Sequence, residues 1–488
     1  MTSGAKRTDP HAINGKFPAP ETRYELVVIG AGPSGIAAAL EGAAAGASVL
    51  LVDENPVSGA LMGNDVPLYF GGRMTAAVQN SDRMLEVVFM SAPGLEAAME
   101  AGVEVILGTS AWGVYRNGPA VASLPEQVVG LADSKRSWLV GFGRLVLATG
   151  ARDLAMAFHG WNQPGVMGAA ALQMLLTRYD AFAGRRILIL GSHDLALETA
   201  LLAHGRGIEV AALVEVRDSC QGRADLSAAV EQAGIRICCG QTIASASGGI
   251  DGVEGAVLSS GEQFKCDTIC AAIGLVPSIE LVDAMGSPLS LDLERGGYIP
   301  SGNDDMVSVV GDCAGLAASG FDHVAYRMDW MRALANASAP DTIICQCEEV
   351  TRADLIGVQP PNYLERPSPM AARSLKTLLV DGPPNQDQIK RLTRAGMGVC
   401  QGRRCRDQIA MLLAIEARTP FGSIPLASHR APVRPLPLKV LADWDEADDM
   451  RNGWDVWFGI PTQWVPYRDI GTPREAEHQD TIGGNMSL

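Results

Sequence analysis

Four cysteines stand in two tight pairs: Cys345 and Cys347 in "CQCEEV", Cys400 and Cys405 in "GMGVCQGRRC", with 52 residues between Cys347 and Cys400. Four thiolates close either a structural zinc site or a [2Fe–2S] cluster. Zinc sites commonly use CxxC or wider knuckles, so the CxC and CxxxxC spacings lean toward iron–sulfur, with structural zinc and unrelated buried thiols as the alternatives. The charge pattern leans the same way. A four-thiolate two-iron centre is anionic and gains negative charge on reduction, which Arg394, Arg403, Arg404 and Arg406 would favour. Nearby glycine amides can donate to the sulfurs.

A second chemistry is written in glycines. "YELVVIGAGPSGIAAALEGAAAGASVLLVDEN" runs from an apolar strand, Glu25 to Ile29, into Gly30, Gly32 and Gly35. An alanine-rich helix to about Ala45 and a second strand, Ser48 to Val52, follow, with Asp53 and Glu54 at its end. Gly30 permits the tight turn, Gly32 lets a pyrophosphate approach the helix N-terminus, and Gly35 allows close helix–strand packing. Asp53 follows the last glycine by 18 residues, where a carboxylate can accept hydrogen bonds from a ribose diol. The alternative, a Gly/Ala-rich structural βαβ unit, does not need strand, glycines, helix, strand and acid in this register.

Two further strands close on short polar turns: "RLVLATGARD" on Ala148, Thr149 and Gly150, and "MVSVVGDCAG" on Gly311 and Asp312. Both resemble the flavoprotein family with two dinucleotide-binding domains that includes glutathione and thioredoxin reductases. That resemblance implies FAD rather than a bare adenine nucleotide, with the ATG turn crossing near the adenine side and Asp312 bonding the ribityl chain or pyrophosphate region. Gly59-Ala60 in "ENPVSGAL" departs from the two glycines common there.

Between those pieces "RRILILGSHDLALETALLAHGRGIEVAALVEVRD" repeats strand, helix and strand, with Glu215 ending the second strand. Its glycine triplet is reduced to Gly191, His193 and Ala196. A side chain at His193 stands where the backbone should meet a pyrophosphate, so this domain is expected to be structural and not to take electrons from NAD(P)H. A redox dithiol is absent as well: no cysteine follows Asp53 in the segment where disulfide reductases carry one. Cys238 and Cys239 read as core residues on a strand, Cys266 and Cys270 as flanking another apolar strand, Cys220 as isolated, and Cys313 as a small buried neighbour of the nucleotide. No nucleophile–His–acid set or HExxH motif occurs, His159 and His323 read as structural, and no catalytic residue is assigned on this chain.

The elements needed to hold two such sites fit the bulk numbers. A chain of 488 residues is too long for one ordinary core. Its net charge of −16 argues against sequence-independent nucleic-acid binding, and no apolar run is long enough for a transmembrane segment. The start has no apolar signal region, and ten cysteines without an export signal suggest a reducing, cytoplasmic location.

"CQCEEVTRADL" and "IKRLTRAGMGVCQGRRC" resemble the bacterioferritin-associated-ferredoxin-like [2Fe–2S] module. With "FHGWNQPGVMGAAALQMLL" and "HRAPVRPLPLKVLADW", they make residues 24 to 442 resemble the alpha subunits of heteromeric opine and amino-acid dehydrogenases. That group includes octopine and nopaline oxidases, hydrogen cyanide synthase, dye-linked proline and hydroxyproline dehydrogenases, and sarcosine oxidase alpha. The resemblance implies an α/β fold with two Rossmann-like domains of the glutathione-reductase type and a small helical [2Fe–2S] module.

The expected boundaries are a flexible lead over 1–23, an FAD domain over 24–155 and 275–335, and a degenerate NAD-type domain over 156–274. The cluster module follows over 340–420, with a proline-rich surface insertion at about 358–386, and then a C-terminal extension over 421–488. The resemblance further implies an electron-transfer subunit, with the C–N-oxidising pocket on a D-amino-acid-oxidase-like beta subunit. A small third subunit belongs to the same expectation, as do FMN at the interface, a quinone or other acceptor and a peripheral place at the inner membrane through partners. Trp444, Trp454, Trp457 and Trp464 lie in a tail that could dock on a partner or pack on this chain. Two readings stand beside this one: a self-contained NAD(P)H-dependent reductase using the cluster, and a non-redox scaffold with structural zinc.

Overall fold

The computed structural model describes residues 19–58, 61–62, 71–116, 124–302, 304–365, 373–442, 469 and 471–474. Most of the lead over 1–23, the Gly59-Ala60 departure and the four tail tryptophans lie outside the described residues.

The strand Thr22–Ile29 ends in four buried apolar residues, and Val49–Val52 is buried throughout. Continuous apolar runs of this kind suit parallel strands covered on both faces. Thr22–Ile29 lies between Val49–Val52 and Ser137–Leu147, parallel to both, with Ile29 opposite Val52 and Leu147. Glu104–Ile106 extends the sheet on one side, and Val307–Val309 pairs in parallel with Ser137–Leu147. On the other side Val128–Ala132 and Ser110–Tyr115 add antiparallel strands. Because the strand order reverses about Thr22–Ile29, a crevice opens at the carboxyl ends of its two flanking strands. The turns after Ile29, Val52, Leu147 and Val309 all leave from that edge.

The chain passes to a second sheet at Ala151–Asp153 and returns at Leu275–Pro277, two short strands paired antiparallel with Val276 opposite Arg152. The second sheet is parallel, in the order Ile237–Cys238, Glu209–Val214, Arg186–Leu190, Thr268–Ala271, Val166–Gly168. A three-stranded antiparallel sheet, Ile243–Gly249, Gly252–Leu258 and Gln263–Lys265, packs beside it.

The helix His323–Ala337 leads to a hairpin, Ile343–Cys345 with Val350–Thr351, and then to the helices Arg352–Gly357, Leu375–Asp381, Gln386–Thr393 and Arg406–Ala417. Thr351 caps the first of these in a capping box with Asp354, and Asn385 caps the third. This helical unit shares a hydrophobic core with the second sheet. Ile344, Leu355, Ile389 and residues 409–414 pack in one cluster with Trp161, Ile243, Tyr326 and Trp330. Gln408 fixes the junction, its Oε1 accepting from Ala157 N at 3.0 Å and its Nε2 donating to Ile344 O at 2.9 Å.

The described end of the proline-rich stretch departs from the expected surface excursion. Its helix Leu375–Asp381 buries Leu375 and Leu378 in that same core, because the Ser374 cap starts a turn that sets apolar positions three residues apart on one face. Among the described residues, no helix is long and apolar enough to cross a membrane.

Candidate nucleotide and thiol sites

The glycine turn is built by the sheet edge. Gly30 N donates to Val52 O, and Ala148 N to Ile29 O, at 2.7 and 2.8 Å. A Cβ on Gly30, which has φ +107°, would lie 2.2 Å from Ala148 O, and one on Gly35 would lie 1.8 Å from Gly30 O. Protein packing therefore demands both glycines. Gly32 is different: a Cβ there would meet nothing within 4 Å. It caps the N-terminus of the helix Pro33–Ala44, so the space is open to a ligand at a helix end whose partial positive charge suits a phosphate.

A cavity of about 430 Å³ extends from this turn. Gly30, Gly32, Asp53, Glu54, Ala148, Thr149, Gly150 and Asp312 line it. Gly35 does not, being consumed in packing, and Gly311 supports the neighbouring turn with φ +68° beside Ser34. Asp53 differs from the simple expectation of a diol ligand. Its Oδ2 accepts from Ala31 N at 2.6 Å, and its Oδ1 accepts from Asn55 N and Nδ2 at 2.8 Å each, so both oxygens already brace the glycine turn. Among the described residues, Glu54 beside it accepts one hydrogen bond, from Arg434 Nη2 at 2.6 Å. Burial pushes the Glu54 carboxyl up, against the opposing Arg434 charge. Cys313 is buried against Thr149 and Ser278, its Sγ 3.0 Å from Thr149 Oγ1, and burial raises its thiol to about 12.

The second glycine signature is filled by its own side chains. His193 caps the helix Asp194–Gly205: Nδ1 accepts from Leu195 N at 3.4 Å and Nε2 lies 3.0 Å from Ile273 O. The pairing fits a neutral ring protonated on Nε2, and burial lowers the imidazole to about 4. Phe321, His323 and Tyr326 pack around that ring with centroids 5.3 to 6.1 Å away. Glu215, the acid ending the second strand, is fully buried and accepts from Ser192 Oγ at 2.5 Å and Tyr326 OH at 2.7 Å. His323 corrects the expectation of a satisfied histidine: its buried Nδ1 has no hydrogen-bond partner among the described residues, and burial lowers it to about 4.

Cys345, Cys400 and Cys405 are buried and Cys347 half-buried; none of the ten cysteines forms a disulfide. The four thiols are linked in a chain, Cys345 to Cys405, Cys405 to Cys400, and Cys400 to Cys347. Hydrogen bonds from Cys347 and Cys405 pull the Cys400 thiol well below its usual value. Gly396 N donates to Cys345 Sγ at 3.4 Å, and a Cβ on Gly398 would collide with Cys347 Cβ at 2.2 Å. Cys405 is the N-cap of the helix Arg406–Ala417, and its hydrogen bonds to Cys345 and Cys400, together with burial, push its own thiol well above the usual value, so it is the proton-bearing member of the chain. Among the described residues, no group of three or more His, Cys, Asp or Glu is arranged to hold a metal ion. A contact chain of four thiols offers instead two adjacent pairs, and a two-iron core takes two thiolates on each iron.

The four arginines do not surround these thiols uniformly. Arg394 pairs with Glu348 at 2.6 Å and Arg404 with Gln346 at 2.5 Å. Arg406 turns away, its Nη1 donating to Asp283 Oδ2 at 3.0 Å and to Ala427 O at 3.1 Å. Arg403, only two residues before Cys405, is buried and lines the cavity that opens from the glycine turn. The thiol loop thus supplies part of the cavity wall.

Beside it runs a buried charge network. Arg152 Nε donates to Glu280 Oε1 at 2.9 Å and its Nη2 to Asp407 Oδ2 at 2.8 Å. Burial opposes ionisation of Glu280, but Arg152, helped by His429, Arg406 and Arg403, holds its carboxyl down at about 2. Glu280, Arg434 and the helix residues Gln173, Met174 and Thr177 also line the cavity and were not singled out from sequence. For Arg434 the only signal was its place inside "HRAPVRPLPLKVLADW".

Residues 24–339 match the family model described as pyridine nucleotide-disulphide oxidoreductase. The chain is 25% identical to the A subunit of opine oxidase from Agrobacterium tumefaciens (strain Ach5), over 86% of this chain and 91% of that protein. It is 27% identical to the alpha subunit of sarcosine oxidase from Rhizobium meliloti (strain 1021), over 94% of this chain but 48% of that longer protein. The crystal structure of L-proline dehydrogenase from P. horikoshii shares the fold, with a TM-score of 0.56 at 20% identity, covering 87% of this chain and 81% of that one.

Proposed function

We propose, for a chain that belongs to the pyridine nucleotide-disulphide oxidoreductase family, that it is the electron-transfer subunit of a heteromeric flavin and iron–sulfur dehydrogenase. The family implies FAD, and the open space at Gly32 supports placing its pyrophosphate at the first glycine turn. Gly30, Ala148, Thr149, Gly150 and Asp312 would line its path, and Cys345, Cys347, Cys400 and Cys405 would hold a [2Fe–2S] cluster. When bound, these groups supply two-electron and one-electron acceptance. The observation that carries the reading is Arg403, which stands between two of the four cysteines and also lines the nucleotide cavity.

The chain's own residues keep the two sites in fixed relation. Arg152 ties the turn after Gly150 to the first turn of the helix that Cys405 caps, and Arg406 ties that same turn to Asp283. The Arg152–Asp407 contact is buried and the Arg406–Asp283 contact half-buried. His193, Tyr326 and Glu215 occupy the second dinucleotide position, and electrons therefore do not enter from NAD(P)H.

The relatives are named as the A and alpha subunits of their oxidases, which implies partner subunits. The substrate pocket belongs to such a partner, a D-amino-acid-oxidase-like flavoprotein that oxidises the C–N bond of an opine, secondary amine or amino acid. FMN at the shared interface, a quinone or other acceptor and a small third subunit complete the scheme.

Gentle purification from the native host, with co-purifying chains identified and iron, sulfide and flavins quantified, tests this. Two irons and two sulfides per chain with a flavoprotein partner are expected. A colourless, zinc-containing chain would defeat the proposal, as would a lone chain whose flavin bleaches with NADH.

A further inference from the structure

Residues 427–434 lie beyond the span matched by the family model, yet they are pinned at several points and end in the wall of the cavity. At one end Arg406 donates to Ala427 O at 3.1 Å, and His429 contacts Asp283 through its N at 3.1 Å and Nδ1 at 2.8 Å. At the other end Val433 N donates to Trp112 O at 2.8 Å, next to the cavity-lining Ala111. Val433 and Arg434 line the cavity themselves.

Arg434 is 7% exposed, and only its Nη2 is used in a described contact, to Glu54 at 2.6 Å. Its Nε and Nη1 are buried without a hydrogen-bond partner among the described residues. Buried guanidinium donors left unmade are costly, and native structures rarely keep them without a ligand. Glu54 already balances the charge, so neutral oxygen and nitrogen acceptors are better matched to the remaining donors than a second anion. Their position is set by Glu54, which follows the second strand of the βαβ unit, where the ribose of a bound dinucleotide lies.

We propose that residues 427–434 form a strap that completes the nucleotide site, with Arg434 donating to ribose or base acceptors of an adenine nucleotide. This rests on the reading that the first glycine turn binds such a nucleotide, and it adds a wall supplied from the far end of the chain.

Titration calorimetry of the full chain, stripped of nucleotide, with AMP and with FAD tests both levels. The wild type is expected to bind both. R434M and R434K should each bind about tenfold or more weakly. Lysine retains the charge opposite Glu54 but lacks the second donor pair, so its loss separates hydrogen bonding from charge. Hydrogen exchange on the unmutated chain gives an independent reading: AMP should slow exchange at residues 429–434. If the wild type binds and both variants bind equally well, or if AMP leaves strap exchange unchanged, the strap proposal fails while the nucleotide reading stands. If the wild type binds neither AMP nor FAD, the underlying reading fails with it.

Discussion

Replacing Arg152 with methionine would leave Glu280 and Asp407 facing each other without their shared cation. Arg152 is 3% exposed and its carboxylate partners are 8% and 13% exposed at the side chain, so water can do little to replace it. Removing one member of a buried ion pair costs about 3–5 kcal/mol. An independent figure comes from Glu280, whose carboxyl is held at about 2 against a usual 4.5. That difference corresponds to about 3 kcal/mol at neutral pH. Because the folded value is depressed, this contribution is present above pH 4.5 and lost as pH falls through 2. In R152M burial is no longer opposed by the arginine, so the Glu280 carboxyl rises and protonation relieves the variant.

Urea unfolding of wild type and R152M, followed by tryptophan fluorescence, should therefore show a gap of about 3–5 kcal/mol at pH 7. The gap should narrow steadily from pH 5 toward pH 2. An unchanged midpoint at pH 7, or a gap that stays constant with acid, would refute the claim that a desolvated charge network joins the two sites.

G32V should leave the thermal midpoint of the nucleotide-free chain nearly unchanged, since its side chain starts in open space, yet lower FAD affinity at least tenfold by calorimetry. C345S and C400S should each lose iron and the visible absorption of the cluster, measured by iron analysis and electron paramagnetic resonance. Stopped-flow addition of NADH to the flavin-loaded chain should leave the flavin oxidised, because His193 and Tyr326 fill the second site. The His193 imidazole, lowered to about 4, should make the chain lose stability as pH falls from about 6.5 toward 4, and H193N should flatten that slope in urea titrations.

The first βαβ unit was legible because its constraints are local. A strand buried on both faces, three glycines and a terminal acid fall within 30 residues, from Glu25 to Glu54. Each glycine answers a steric demand that any such turn makes. The departure of the second unit from the glycine triplet was equally readable, since His193 puts a ring at the middle position. What the ring does there was not: its bonds to Ile273 and Leu195, and the capture of Glu215 by Tyr326, join distant elements. The pattern of arginines near the thiols suggested a common field. The structure splits that set: the Arg403 charge and the Arg404 amide lower the Cys400 thiol, while Arg406, at the start of the helix, turns toward Asp283.

By itself the sequence determined the local devices present, a glycine turn at a strand end and a four-thiol set, because residue type and short spacing carry that information. Only the tertiary structure decided that they share a wall. Arg152 meets Asp407 across 255 residues, and Arg434 meets Glu54 across 380. Such pairs have no period and no spacing; they arise because burial in a common interior leaves each charge no other way to be compensated.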